Sequence, residues 1–86
     1  AKDARRRSRV AQRELELEEA RIGTLEARIA AISASLEDPE LYTRPSGVED
    51  ARRFGEELDA ARRDLDDTMA RWAAASDATA QPGRAP

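Results

Sequence analysis

The sequence predicts an all-α fold, a two-helix antiparallel coiled-coil hairpin with a short helical turn at the tip. Three observations predict it. Only sixteen large apolar side chains occur among 86 residues, enough for one narrow seam but too few for a layered globular core. Those side chains recur at heptad spacing in two separate stretches. Between the stretches stand Pro39 and Pro45, each of which disfavours helical geometry at the residue before it. A composition rich in Ala, Glu, Arg, Leu and Asp suits long helices.

The first helix is expected over 9–37. Leu15, Ile22, Leu25, Ile29, Ile32 and Leu36 alternate at spacings of three and four, apart from one seven-residue gap at Glu18. This places them on one stripe with charged residues around it. Gly23 lies off the stripe and costs up to ~1 kcal/mol relative to Ala, and Leu17 also falls outside it. The seam is therefore polar or loose between Leu15 and Ile22.

The tip is expected over 38–46. Asp38 is a good cap before Pro39 at the first position of a helical turn, Asp38-Pro39-Glu40-Leu41-Tyr42. Arg44-Pro45 makes a second break, and Ser46 with Glu49 three residues on fits a capping box. The second helix is expected over 47–75, where Ala51, Leu58, Leu65 and Trp72 repeat every seven residues. Its other seam position is open between Phe54 and Gly55, Ala61 and Arg62, and Thr68 and Met69. Residues 76–86 show no periodicity and read as a disordered tail.

A linker of about eight residues folds the two helices back antiparallel. Pairing outwards from the tip puts Ile32 near Ala51, Leu25 near Leu58, and Trp72 near Leu15 and Ala11. Glu18 is then expected to pair with Arg62.

The chain has no Cys and no His, which excludes thiol chemistry, disulfides and zinc sites built from those residues. No phosphate-binding loop or dinucleotide fingerprint occurs among the four glycines. Asp64, Asp66 and Asp67 point in different directions on a helix and read as a solvated face rather than a metal site. Catalysis, cofactors and metals are not expected in this chain. No apolar run spans a membrane and no signal peptide is expected, because no apolar stretch follows the charged start. The lack of Cys suits a cytoplasmic protein.

Charge is segregated. The net charge is −3, but residues 1–13 carry +5 and the remainder −8. Residues 1–8 read as a basic arm or linker. Lys2, Arg5, Arg6, Arg7, Arg9 and Arg13 either contact a polyanion such as nucleic acid or form a solvated helix end. Arg44, Arg52 and Arg53 near the tip are secondary candidates, with Tyr42 available for stacking on a base or for closing the seam against Leu36.

In sequence order, the chain carries Gln12-Arg13-Glu14-Leu15-Glu16, Ile22-Gly23-Thr24-Leu25-Glu26, Asp38-Pro39-Glu40-Leu41-Tyr42-Thr43-Arg44-Pro45, and Leu65-Asp66 through Arg71-Trp72. Over about residues 5–75 this pattern resembles the C-terminal coiled-coil domain of ABC-F ATPases of the Uup type. Three positions depart from it. Glu18-Glu19 replaces a frequent Leu-Pro, Ser8-Arg9 stands where a Tyr is usual, and Met69 replaces an aromatic. The resemblance implies a parent protein whose ATP-binding cassettes, with ATP and magnesium, lie N-terminal to this segment. It further implies binding to DNA, or to ribosomal RNA as in ribosome-acting relatives. The alternative is a structural or protein-interaction hairpin that docks on or regulates the attached ATPase, with Leu17, Leu41 and Tyr42 as its exposed apolar contacts. An isolated hairpin satisfies its own seam and is expected to be monomeric.

Overall fold

The computed structural model describes residues 2–80, as a rod of 64 × 18 × 14 Å. Helix α1 runs Lys2–Glu37, a 3-10 turn spans Pro39–Thr43, and helix α2 runs Gly47–Ala80. The two helices lie antiparallel along most of their length. The all-α hairpin expected from the sequence is the fold observed, with no strand among the described residues.

Both helices are longer than the apolar periodicity predicts. The segment expected as an arm, from Lys2 to Ser8, is the beginning of α1, and Ser76–Ala80 extends α2 rather than opening a tail. Residues 81–86 of the expected tail lie outside the described residues. The reason is visible in the spacing. Ala4, Ser8 and Ala11 continue the three-and-four alternation of Leu15, and Ala4, Ser8 and Ala11 border a depression shared with Ala78 of α2. Ala11 is buried but Ala4 and Ser8 are exposed, so the added turns rest on the helix propensity of Ala, Arg and Lys more than on apolar packing.

In α1 the buried seam residues are Ala11, Leu25 and Ile32, with Leu15, Glu18, Ile22, Ile29 and Leu36 half-buried. In α2 the open choices resolve towards Ala61 and Thr68, both buried, whereas Arg62 and Met69 are exposed. Phe54 and Gly55 are both half-buried. The α2 seam therefore reads Leu58, Ala61, Leu65, Thr68, Trp72, Ala75, an unbroken heptad series.

The tip is tightly built. The Asp38 carboxylate accepts from the Glu40 backbone N–H at 3.0 Å, with Pro39 at the first position, as the sequence predicts. Arg44 is extended ahead of Pro45. Leu41 is 0% exposed and lies under the start of α2. The expectation that Leu41 is an exposed contact is thus corrected: it lies off the heptad, and only the fold-back buries it. The Tyr42 hydroxyl donates to the Leu36 carbonyl at 2.6 Å, supplying a partner to one of the last carbonyls of α1. The capping box does not form as expected. The Ser46 hydroxyl bonds the Asp50 carboxylate at 2.8 Å, and Glu49 pairs with Arg52 instead.

The register also differs. The start of α2 packs on the tip turn, where Gly47 lies against the Leu41 and Tyr42 backbone. Each α1 residue consequently faces a residue further along α2 than simple counting gives. Leu25 shares a groove with Ala61, and Trp72 lies against Glu19 and Ile22 instead of Leu15 and Ala11.

Candidate nucleic-acid interface

Because α1 begins at Lys2, the six N-terminal cations are displayed on a helix. Lys2, Arg5, Arg6, Arg9 and Arg13 recur at three- and four-residue spacing and form one stripe. By helical rotation this stripe faces away from the side that carries Ala4, Ser8 and the buried Ala11. Arg7 stands apart from it, bordering the depression beside Ala78. All six side chains are exposed. Among the described residues none of the six makes an ion pair; the pairs present are Arg21–Asp64, Arg52–Glu49, Arg53–Asp50 and Arg71–Glu18. The stripe extends ~16 Å at 1.5 Å per residue.

The tip candidates do not join this stripe. From Arg13 to the end of α1 is ~36 Å along the helix, so the two sets occupy opposite ends of the rod. Arg52 is held by Glu49 at 2.9 Å and Arg53 by Asp50 at 3.0 Å, which partly neutralises both guanidinium groups. Arg44 is exposed. Tyr42 keeps 58% of its surface exposed, but its hydroxyl is committed to Leu36. The stacking and seam-closing roles are therefore divided between its ring and its oxygen.

Between the two ends lies a polar cluster whose partners the sequence did not reveal. Arg71 reaches across the seam to both Glu18 carboxylate oxygens at 3.3 Å. It also donates to the Thr68 hydroxyl at 3.0 Å, which in turn donates to the Asp64 carbonyl at 2.7 Å. The Asp64 carboxylate meets Arg21 of α1 at 2.6 Å. Thr68 is 0% exposed, and its hydroxyl is fully engaged in a buried site. The polar gap at Glu18 is bridged by Arg71, not by Arg62 as counting predicts; the shifted register carries Arg62 away from it. The signal available in the sequence was Glu18 itself, a carboxylate on an apolar stripe.

One residue further along each helix, the Trp72 indole N–H donates to Glu19 at 3.2 Å. Trp72, Met69, Ala73, Ile22 and Glu19 together line a shallow groove of about 430 Å³. Asp64 is committed to Arg21, while Asp66 and Asp67 are exposed separately. No group of three or more metal-ligating side chains converges among the described residues. No described helix is long and apolar enough to cross a membrane.

No curated protein and no solved structure matches the chain. The family model described as the ABC transporter C-terminal domain matches it over residues 6–76, which takes in the stripe from Arg6 onward, the tip and Trp72. With most of its length so matched, the chain belongs to the ABC transporter C-terminal domain family.

Proposed function

We propose that this chain is the non-catalytic, nucleic-acid-binding C-terminal domain of a cytoplasmic ABC-F ATPase of the Uup type. DNA is the proposed partner, with ribosomal RNA offering the same phosphate chemistry. The observation that carries the reading is the cationic stripe of Lys2, Arg5, Arg6, Arg9 and Arg13, exposed and without a carboxylate partner among the described residues. Such a stripe exchanges condensed counterions for phosphates and is indifferent to base sequence. The stripe itself holds no aromatic side chain, so it has no platform for stacking single-stranded bases. The acidic remainder of the rod repels a polyanion and confines contact to the N-terminal end. ATP and magnesium belong to the cassettes of the parent protein, and this chain adds no residue to their chemistry.

The test is a titration of the 86-residue chain against labelled duplex DNA, single-stranded DNA and an RNA hairpin. With four to five phosphates neutralised, duplex affinity should fall about 150- to 500-fold between 50 and 200 mM salt. Replacing Arg5, Arg6, Arg9 and Arg13 with Ala should abolish most binding, and replacing Arg52 and Arg53 with Ala should leave it. Affinity that ignores salt, or that survives the first replacement, refutes the proposal.

The second reading, a hairpin that docks on or regulates protein, is favoured by the groove beside Trp72, far from the stripe's outer face.

A further inference from the structure

We propose that the groove lined by Glu19, Ile22, Met69, Trp72 and Ala73 docks a cationic amphipathic helix of a partner protein. This goes beyond the nucleic-acid reading and stands whether or not the stripe binds phosphate.

The groove has the composition of a helix-docking site. Trp72 is 36% and Met69 46% exposed, although both stand at or beside the seam of a chain with very few large apolar groups. The indole is held by its bond to Glu19, so its face is fixed before any partner arrives. A fixed aromatic wall beside a pliable thioether accepts an apolar anchor such as Leu at little ordering cost. Helix-in-groove recognition reads such anchors at i, i+3 and i+4 spacing.

Charge selects the partner. On each helix, the neighbours three and four residues from a lining residue stand on the same side of the rod. Every charged residue at those positions is a carboxylate: Glu16, Glu18 and Glu26 on α1, Asp66 and Asp77 on α2. Glu18 is already engaged by Arg71, which leaves four, together with Glu19 in the lining, to face an incoming chain. No Lys or Arg occupies any of these positions. An acidic rim around an apolar floor complements a helix with Lys or Arg flanking its apolar face, and disfavours an acidic helix or a nucleic acid.

The outer face of α1 in a second copy offers Val10 and Leu17 flanked by Arg6 and Arg13. That face lies on the other side of α1 from the groove. Such a pairing is heterologous and gives a ring or an open filament instead of a two-fold dimer, so a separate chain is the proposed occupant.

The protein carries a single tryptophan, which makes the groove its own reporter. The 86-residue chain is titrated with a synthetic Leu/Lys/Ala helical peptide and with a Leu/Glu/Ala peptide of the same apolar spacing, following Trp72 emission. The cationic peptide should shift the emission to the blue, and the acidic one should bind at least ~10-fold more weakly. The variant E26K/D66K changes two exposed positions and should weaken the cationic peptide ~10-fold or more at unchanged helicity. Equal affinity for the two peptides overturns the proposal, as does no emission change with the cationic one. An emission change with protein concentration alone assigns the groove to a second copy, and a shift on adding duplex DNA assigns it to nucleic acid; either result also overturns it. The comparison of peptides on the unaltered chain keeps the test decisive if the variant does not fold.

Discussion

Replacing a helical glycine by alanine should have opposite signs at two places in this chain. In a helix, Ala is favoured over Gly by up to ~1 kcal/mol, mostly because the unfolded chain loses less freedom. Gly23 lies in the middle of α1 with nothing within 4 Å of the place a Cβ would take. Gly23→Ala should therefore stabilise by ~0.5–1 kcal/mol. Gly47 is the first residue of α2 and is packed against the tip turn. A Cβ there would fall on the Leu41 carbonyl oxygen, with Leu41 C at 3.2 Å and Tyr42 Cα at 3.3 Å. These are backbone atoms, so no side-chain rotation relieves the overlap. The backbone φ at Gly47 is not positive, so glycine is required there for close approach and not for an unusual conformation.

To make room, the tip must move, and the tip holds the fully buried Leu41 and the 2.6 Å bond from Tyr42 to Leu36. Overpacking of this kind costs ~1–3 kcal/mol, which outweighs the propensity gain. For a domain of this size each kcal/mol moves Tm by ~4–8 °C. Thermal unfolding followed by circular dichroism at 222 nm should show Gly47→Ala melting at least ~4 °C below the parent, and Gly23→Ala melting a few degrees above it. A Gly47→Ala protein as stable as the parent would mean that the tip is not packed as described, and the burial of Leu41 would fall with it.

Two further substitutions test particular contacts. Arg71→Ala should cost ~1 kcal/mol, because it leaves the half-buried Glu18 without its partner, whereas Arg62→Ala should stay within ~0.5 kcal/mol; equal effects in urea denaturation would restore the Glu18–Arg62 pairing. Tyr42→Phe should cost ~0.5–1.5 kcal/mol by removing the only donor bonded to the Leu36 carbonyl from the tip, and an unchanged urea midpoint would show that this bond adds nothing to the tip.

How far the sequence speaks depends on contrast between side chains. Leu15 to Leu36 announce the α1 seam because each large apolar group stands among charged neighbours. Ala11 continues that seam with a side chain too small to stand out, and Ala4 and Ser8 before it are exposed, so no apolar contrast marks the first turns of α1. The clustering of the cations there was legible as charge; their alignment on one helical face needed the helix. Thr68 illustrates the converse. Its spacing allowed burial, but only the arrival of Arg71 and the Asp64 carbonyl makes a buried hydroxyl acceptable. Cross-strand partners were the least legible feature. They follow from register, and register follows from how α2 sits on the tip turn, which depends on the tertiary position of Leu41.

The cationic stripe is an arrangement that the hairpin itself does not favour. Asp3 is the one carboxylate among the six cations of residues 1–13. Lys2–Arg6, Arg5–Arg9 and Arg9–Arg13 are like-charge pairs four residues apart, each unfavourable by ~0.2–0.5 kcal/mol. On the other side of these turns only Ala11 is buried, with Ala4 and Ser8 exposed, so little apolar burial offsets the repulsion. Elsewhere in the chain cations do find partners: Glu49 and Asp50 in the first turn of α2 are both paired with arginines one turn on. The stripe instead concentrates like charge without a carboxylate partner among the described residues. On the proposed reading, a polyanion lying along the stripe offsets those repulsions with attractions of its own, and the carboxylates beside Trp72 disfavour the same polyanion at the groove. The segregation of +5 on the first thirteen residues and −8 on the rest is the property on which both proposed binding surfaces, of opposite preference, depend.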